Sequence, residues 1–304
     1  MTSPSATSRV VLVLGMLGGF SAALGLEGRA GAQSQPNLAS YAVVGLEAVQ
    51  LGADVRVQPG AVGTMAGTVR LAVRARVPGT VVADSVRVAR GARAGRLFCG
   101  LVFGGAFGPG VVGGPTVGGS TTPAGCLQLT KPVLDPALLA PVSVTPGTAD
   151  LTVPARTGSA PTGPGAYGAV VVGRGSLLQL SGGTYQMRSI RLARTARLVC
   201  LDDCRIGVAE TVTLRRRAQL GAASGLVQAD KVRLDVTPGA VAPAFRTAPR
   251  AIVAATVFAP GGSVVLGPDG DYRGAFVGLS VKVGARSRVR EASAFPPPPR
   301  QPSR

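Results

Sequence analysis

The chain has 304 residues, among them 44 glycines and 24 prolines, with no histidine, no tryptophan and only 4% aromatic residues. An ordinary globular core of this size would contain more aromatic bulk. Without histidine, the chain also lacks the usual general base of enzymes that work near neutral pH. The formal net charge is +18, almost all of it from arginine, which favours attraction to an anionic polymer. The alternative explanation of this charge is that arginine occupies outward strand positions in a protein whose coding is biased towards arginine.

Residues 1–32 have the features of a secretory signal peptide. Arg9 supplies the basic start, residues 10–26 form an almost uninterrupted apolar run, and Ala30-Gly31-Ala32 is an A-x-A cleavage site. An uncleaved membrane anchor is the alternative, because the apolar run is at the short limit for a span. The segment predicts a secreted, periplasmic or cell-surface protein with no membrane span after cleavage.

Beyond the signal peptide, one short phrase keeps returning: apolar, any residue, apolar, then in most copies a small or basic residue. Apolar residues two apart face the same side of a strand, and a period of about 20 residues is typical of coils that bury their core by stacking. The phrase therefore predicts an all-β fold, a right-handed parallel β-helix (β-solenoid) with three short strands per coil. Its copies begin at Val49, Val69, Val86, Val170, Ile190, Val212, Val232, Val264 and Val281.

The copies fall into two blocks. The first coils occupy residues 33–102, with turns predicted at Pro59-Gly60 and Pro78-Gly79. The main solenoid occupies residues 167–295, where short strands follow one another at regular steps. Hairpin turns such as Asn-Gly are missing between these strands, which favours a parallel helix over a sandwich.

Three stretches break the period. Residues 103–166 are rich in glycine and proline, and prolines cannot donate to a strand ladder. This stretch is either a long surface excursion from one solenoid or a linker between two blocks. A shorter excursion is predicted at residues 237–249, and residues 296–304 form a proline-rich tail.

Four cysteines in an exported chain predict disulfides. Cys200 and Cys204 flank a Leu-Asp-Asp turn, and Cys99 and Cys126 bracket a glycine-rich stretch, so proximity pairs them in that way. Four cysteines allow three different pairings, and it is proximity in the sequence that favours this one. A zinc site is a weaker interpretation, because a C-x3-C spacing without histidine is poor for that metal.

Three phrases of the second block resemble coils of a known group. They are L-S-G-G-T-Y-Q-M-R-S-I-R-L at 180–192, A-T-V-F-A-P at 255–260 and Y-R-G-A-F-V at 272–277. They are similar to exported bacterial parallel β-helix proteins, surface proteins of uncharacterised function related in style to pilus-associated and polymer-forming solenoids. The likeness covers roughly residues 167–295 and implies the fold. The chain departs from the group at Arg290-Glu291-Ala292, where members often have a Tyr-Asp pair.

The first block also carries a likeness. Residues 83–88, Ala-Asp-Ser-Val-Arg-Val, resemble the coils of bactofilins, the filament-forming bacterial β-helices. Bactofilins lack export signals, so this resemblance implies the fold alone.

The candidate binding site is the basic cluster Arg215-Arg216-Arg217, which suits a phosphate or carboxylate of an anionic polymer. A solvated strand end is the alternative. Nucleic acid is not the predicted partner, because no aromatic residues for base stacking stand nearby. The acidic pairs Asp202-Asp203 and Asp269-Gly270-Asp271 have ordinary turn compositions, and neither alone supplies the oxygens of a calcium site.

The leading hypothesis is an exported, non-catalytic structural or adhesive protein of the bacterial envelope or matrix. It would bind an anionic polysaccharide, or another envelope component, through an arginine-rich surface by repeated weak contacts. No catalytic residue, cofactor or metal is predicted. One alternative is a polysaccharide-active β-helix lyase or hydrolase, in which the acidic pairs would converge in one groove. The other is a self-associating filament subunit, because the ends of a solenoid are exposed strand edges.

Overall fold

The computed structural model describes residues 38–103, 126–127, 142–223, 228–237 and 243–295. The predicted fold class is confirmed, since parallel strands form a β-solenoid of about 10 turns. Within these ranges no helix is long and apolar enough to cross a membrane. The predicted signal peptide at 1–32 and the tail at 296–304 lie outside the described residues.

The strands pair into one parallel ladder that winds around the molecule. In chain order they are β1 (Tyr41–Leu51), β2 (Arg56–Val57), β3 (Ala61–Thr64), β4 (Thr68–Leu71), β5 (Arg76–Val88), β6 (Arg93–Phe103), β7 (Cys126–Leu127), β8 (Leu151–Val153), β9 (Gly165–Val172), β10 (Leu177–Leu180), β11 (Gly183–Leu192), β12 (Arg197–Cys200), β13 (Cys204–Val208), β14 (Val212–Leu214), β15 (Gln219–Ala222), β16 (Val232–Val236), β17 (Phe245–Thr247), β18 (Ile252–Ala254), β19 (Thr256–Leu266), β20 (Asp271–Arg273), β21 (Phe276–Val283) and β22 (Arg288–Arg290). Short 3₁₀ helices lie at Leu38–Ser40 and Ala229–Lys231.

Each coil has three faces. In the coil that begins at Tyr41, residues 41–45 lie on face 1, residues 48–51 lie on face 2, and β2 lies on face 3 after a short corner. Inward side chains of the three faces pack into one core, so Val49, Leu51 and Val57 are fully buried. The returning phrase is the face 2 strand of most coils, and its middle residue points to solvent, as predicted.

Two local predictions are wrong. Pro78-Gly79, predicted as a turn, lies inside β5, where the strand rounds a corner with a bulge between Val77 and Thr80. Residues 245–247 fall in the predicted excursion at 237–249 but form β17, the face 2 strand of their coil. The phrase at Val232 is correspondingly a face 1 strand of that coil. A bulge lets a strand bend while keeping its ladder, which is why a Pro-Gly pair does not end β5.

The coils do not stack in chain order. β1 pairs with β3 and β4 of the following coil on one side, and with β21 of the last complete coil on the other. The block at 38–103 therefore continues the stack beyond the end of the block at 142–295. Along face 2 the order is β8, β9, β11, β14, β17, β19, β21, β1, β4, β5, β6.

The stretch at 103–166 joins opposite ends of this stack, because β6 lies near one end and β8 near the other. From residue 142 onward, the described chain first runs lengthwise along face 1. Thr237 Oγ1 donates a hydrogen bond to the Val142 carbonyl at 2.8 Å, and the Thr145 N–H donates to Gln186 Oε1 at 2.8 Å. These partners lie on different coils, so the segment crosses several turns before residues 151–162 add the outermost coil.

Apolar residues cover the outer side of face 1 near the middle of the stack. Leu38 and Tyr41 from the start of the described chain pack there with Phe258, Val277 and Phe295 in a second apolar cluster. Both ends of the described chain therefore lie together on face 1.

One predicted disulfide is present. Cys200 and Cys204 are bonded across the corner between faces 3 and 1, with their Cα atoms 6.2 Å apart. In the other predicted pair, Cys126 belongs to β7, which pairs with the β6 strand that contains Cys99. The side chain of Cys126 lies outside what the structure describes.

Candidate functional site

The predicted cluster Arg215-Arg216-Arg217 forms the corner between faces 2 and 3, after β14 and before β15. All three side chains are exposed. The Ala218 N–H donates a hydrogen bond to the Arg215 carbonyl at 3.0 Å, which closes the turn, and Arg217 has a left-handed backbone with a φ of 59°. A small buried residue such as Ala218 follows because its side chain must point into the narrow core at the corner.

The same corner recurs on coil after coil. In stack order its left-handed residues are Arg156, Gly175, Thr195, Arg217, Arg250, Asp269, Arg286, Asp54, Arg74 and Gly91. Backbone hydrogen bonds hold neighbouring corners together, as from the Thr195 N–H to the Arg216 carbonyl at 3.1 Å. Neighbouring parallel strands lie about 4.8 Å apart, so this column follows the solenoid axis.

Exposed arginines follow the column along the whole stack. We call them the arginine corner, and they are Arg156, Arg174, Arg194, Arg215, Arg216, Arg217, Arg250, Arg286, Arg74 and Arg90. Every described corner of this type has an exposed arginine, except the two whose left-handed residue is Asp54 or Asp269. The predicted triplet is therefore the densest point of a longer basic edge.

Arginine is not the residue that this backbone favours. A left-handed conformation costs an L-residue about 1–2 kcal/mol, and glycine, asparagine and aspartate accept it most readily. Gly91 and Gly175 occupy equivalent positions, whereas Arg74, Arg156 and Arg217 do not relieve the strain. The requirements of the turn therefore do not explain why arginine recurs there.

Two arginines of the corner are neutralised by neighbours. Arg286 Nε lies 2.7 Å from Asp269 Oδ1, and Arg74 Nε lies 2.6 Å from Asp54 Oδ1. These hydrogen bonds lower the pKa of both carboxyl groups below the usual value for aspartate. Among the described residues, no carboxylate lies within ion-pair distance of Arg215, Arg216 or Arg217.

A second basic row lies beside the corner, on face 3. Its four exposed arginines occupy the first outward position of successive strands, and we call them the arginine ladder: Arg288, Arg56, Arg76 and Arg93. Sequence reasoning missed this row, because Arg288 and Arg56 become neighbours only where the last coil meets the first. The alternation of Val55-Arg56-Val57 and Ala75-Arg76-Val77 is the signal that was visible.

No protein family, no curated protein and no solved structure matches this chain.

Two grooves lie on face 3, and a further groove on face 2 is lined by Gln50, Arg70 and Arg87. One groove follows the ladder and is lined by Arg56, Arg76 and Arg93 together with Gln58 and Pro78. A wider groove continues along the face. Its lining includes Leu177, Gln179, Arg197, Gln219, Ile252, Asp271, Arg290 and Glu291. The two grooves adjoin at Gln58 and Pro59.

The acidic pairs do not converge in these grooves. Asp202 and Asp203 form the turn after β12, and Asp203 lies 3.5 Å from the Lys231 ammonium. Asp269 is at the arginine corner, and only Asp271 faces a groove. The strands β15 and β18 separate β12 from the strand of Asp271.

Asp271 is held by two arginines. Its Oδ2 lies 3.3 Å from Arg273 Nη2, and its Oδ1 lies 3.7 Å from Arg290 Nη2. Within the described ranges, no three His, Cys, Asp or Glu side chains are grouped so as to hold a metal ion. The wider groove is therefore lined by two carboxylates, Asp271 and Glu291, together with arginines and amides, and Asp271 is paired with arginines.

Proposed function

We propose that this protein is an exported, non-catalytic structural or adhesive β-solenoid of the bacterial envelope or matrix, and that it binds an anionic polysaccharide along its arginine corner. The observation that carries this proposal is the recurrence of an exposed arginine on turn after turn of one edge. A rigid ladder of strands fixes the spacing of these charges at about 4.8 Å per coil.

Binding by such an edge depends on repetition. A single exposed ion pair contributes about 0–1 kcal/mol, so one arginine does not hold a ligand. When several contacts involve the same polymer, each contact after the first is effectively intramolecular, and the affinities multiply. Because all the contacts are exposed, salt screens them strongly.

Two features support an exported location. Residues 1–32 have the pattern of a secretory signal, and the Cys200–Cys204 disulfide is of a kind that persists in oxidising compartments. The resemblance of residues 167–295 to exported bacterial β-helix surface proteins points the same way.

The direct test uses the predicted triplet. The variant Arg215→Gln, Arg216→Gln, Arg217→Gly removes three charges, and a matched variant with lysine at all three positions keeps them. On an immobilised anionic polysaccharide such as heparin, the wild-type and lysine proteins should elute at similar salt concentrations. The neutral variant should elute earlier, and its affinity should depend less steeply on salt.

Two results would overturn the proposal. One is a wild-type protein that is not retained at low ionic strength. The other is a neutral variant that elutes with the wild type, because the corner would then contribute nothing. Single-stranded DNA of equal charge serves as a competitor, because phosphate contacts alone supply most non-specific nucleic-acid binding; competition as strong as that of the polysaccharide would show that the corner accepts any polyanion.

A further inference from the structure

The arginine ladder on face 3 is a row of four like charges, and Asp271 continues the same column at one end only, where it pairs in register with Arg288. Arg56 pairs in register with Arg288 and with Arg76, and Arg76 pairs with Arg93. In the described part of the chain, no carboxylate lies within ion-pair distance of any of the four. Like charges at directly opposed positions destabilise a sheet, so this row is costly unless an anion covers it.

The neighbouring corner shows that the chain can supply counter-charges. At the same coils, Asp54 and Asp269 neutralise Arg74 and Arg286. Two residues after each left-handed position, the ladder arginines form no such ion pair within the described residues, although the charge of Arg56 helps to lower the pKa of Asp54. An arginine fork binds a carboxylate through two parallel hydrogen bonds, so each rung of the ladder is a complete donor for one carboxylate.

The surroundings of the ladder suit an extended ligand. The groove beside it is also lined by Pro78 and Gln58, and it adjoins the wider groove of face 3. There Gln179 and Gln219 offer amide groups, and the residue Ile252 is 39% exposed. The outward positions of the described face 3 strands include no aromatic residue, which argues against stacked bases.

We infer that face 3 is a binding groove for a linear polyuronate, a polysaccharide with one carboxylate on every sugar, running along the solenoid axis. This inference rests on the proposed function and names its ligand class. Successive rungs are about 4.8 Å apart, close to the advance per sugar of an extended pyranose chain. A polymer charged on every sugar therefore presents its carboxylates at the frequency of the arginines, whereas one charged on alternate sugars leaves rungs empty.

The experiment compares two oligosaccharides of equal total charge by calorimetric titration of the purified full chain. Oligogalacturonate has a carboxylate on every sugar, and a hyaluronan oligomer has one on every second sugar. The ladder variant Arg56→Gln, Arg76→Gln and the corner variant Arg217→Gly, Arg250→Gly each remove two positive charges. All four positions are exposed, and thermal unfolding checks that both variants stay folded.

The wild-type protein should prefer oligogalacturonate. The ladder variant should lose about tenfold in affinity for oligogalacturonate, which corresponds to about 1.4 kcal/mol, and much less for hyaluronan. The corner variant should weaken both ligands by the same smaller factor. Equal losses for both ligands in the ladder variant would overturn the inference and leave the proposed function standing. A wild-type protein that binds neither ligand at low salt would overturn the proposed function itself.

Discussion

Arg74 donates two hydrogen bonds to Asp54, from Nε to Oδ1 at 2.6 Å and from Nη2 to Oδ2 at 2.8 Å. Both residues occupy the left-handed position of neighbouring corners. Arg286 binds Asp269 in the same forked way at 2.7 and 3.0 Å, and its charge also helps to lower the pKa of Asp54. Four charges therefore alternate in sign across the junction between the last and first coils.

The alternating column predicts a specific acid response. Hydrogen bonds from Arg74 and Arg286 lower the folded-state pKa of Asp54 and Asp269. A depressed aspartate pKa contributes stability above the unfolded value of about 3.9, and this contribution is lost as pH falls through the lower folded pKa. The melting temperature should therefore decrease below about pH 4, and the decrease should be shallower in the Asp54→Asn, Asp269→Asn variant.

The control for this prediction is Glu210→Gln, which removes an exposed carboxylate with no ion pair among the described residues. Its acid transition should match the wild type. Melting curves recorded between pH 2 and pH 7, values chosen to bracket the aspartate pKa, provide the measurement. An aspartate variant with the full wild-type acid sensitivity would show that other carboxyl groups dominate the transition.

Arg217 allows the conformational and chemical roles of the corner to be separated. Glycine at this position relieves the left-handed strain of the folded state, but it also raises the conformational entropy of the unfolded chain. The two effects on stability oppose each other. Arg217→Gly should therefore unfold within about 1 kcal/mol of the wild type. Arg217→Val should be less stable than both, because a β-branched residue tolerates positive φ poorly. Urea titration checks this order, and a glycine variant that is the least stable of the three would contradict it.

The strands were predictable from sequence, but their stacking order was not. The apolar alternation at Val49 and Val281 has the same pattern, so it places both residues inward without indicating which coil lies next to which. Parallel coils also present the same backbone ladder to any neighbour. The pairing of β1 with β21, and with it the contact between Arg56 and Arg288, depends on the return of residues 142–147 along face 1. Composition in the stretch at 103–166 does not contain that information.

This order predicts that the two blocks stay associated when the chain between them is cut. The junction buries Val43, Val49 and Leu51 of β1 against Phe276 and Val281 of β21. A protease site inserted between residues 128 and 141, beyond Cys126, allows the chain to be nicked after folding while the predicted Cys99–Cys126 bridge stays within one fragment. The fragments should elute together from a sizing column under native conditions and separate in denaturant.

A substitution at the junction makes this test sharper. Leu51→Asp places a charge in the core between the blocks, where an unpaired charge is strongly unfavourable, and should release the fragments after nicking. Exposed Gln50→Asp on the same strand should not. Fragments of the wild type that part on a native column would show that the junction between the blocks is weak.

The last prediction concerns Asp235 on face 1, whose side chain is 2% exposed. Its carboxylate accepts hydrogen bonds from Arg233 Nε at 2.8 Å and from Arg205 Nε at 3.2 Å. The Arg233 guanidinium also lies over the ring of Phe295 at 5.2 Å, so this group fixes the end of the described chain to the solenoid. Asp235→Asn should lower the free energy of unfolding by about 1–3 kcal/mol, because hydrogen bonds to a charged group are lost in a buried setting.

Asp150 provides the matched control. Its carboxylate also lies 2.8 Å from an arginine, Arg188, but the Asp150 side chain is 55% exposed. Exposed pairs contribute about 0–1 kcal/mol, so Asp150→Asn should be the milder change. Urea unfolding of the two variants measures the difference, and proteolysis near Phe295 should accelerate only for Asp235→Asn. Equal losses in both variants would mean that burial does not strengthen the Asp235 group, and that Phe295 is held by apolar packing alone.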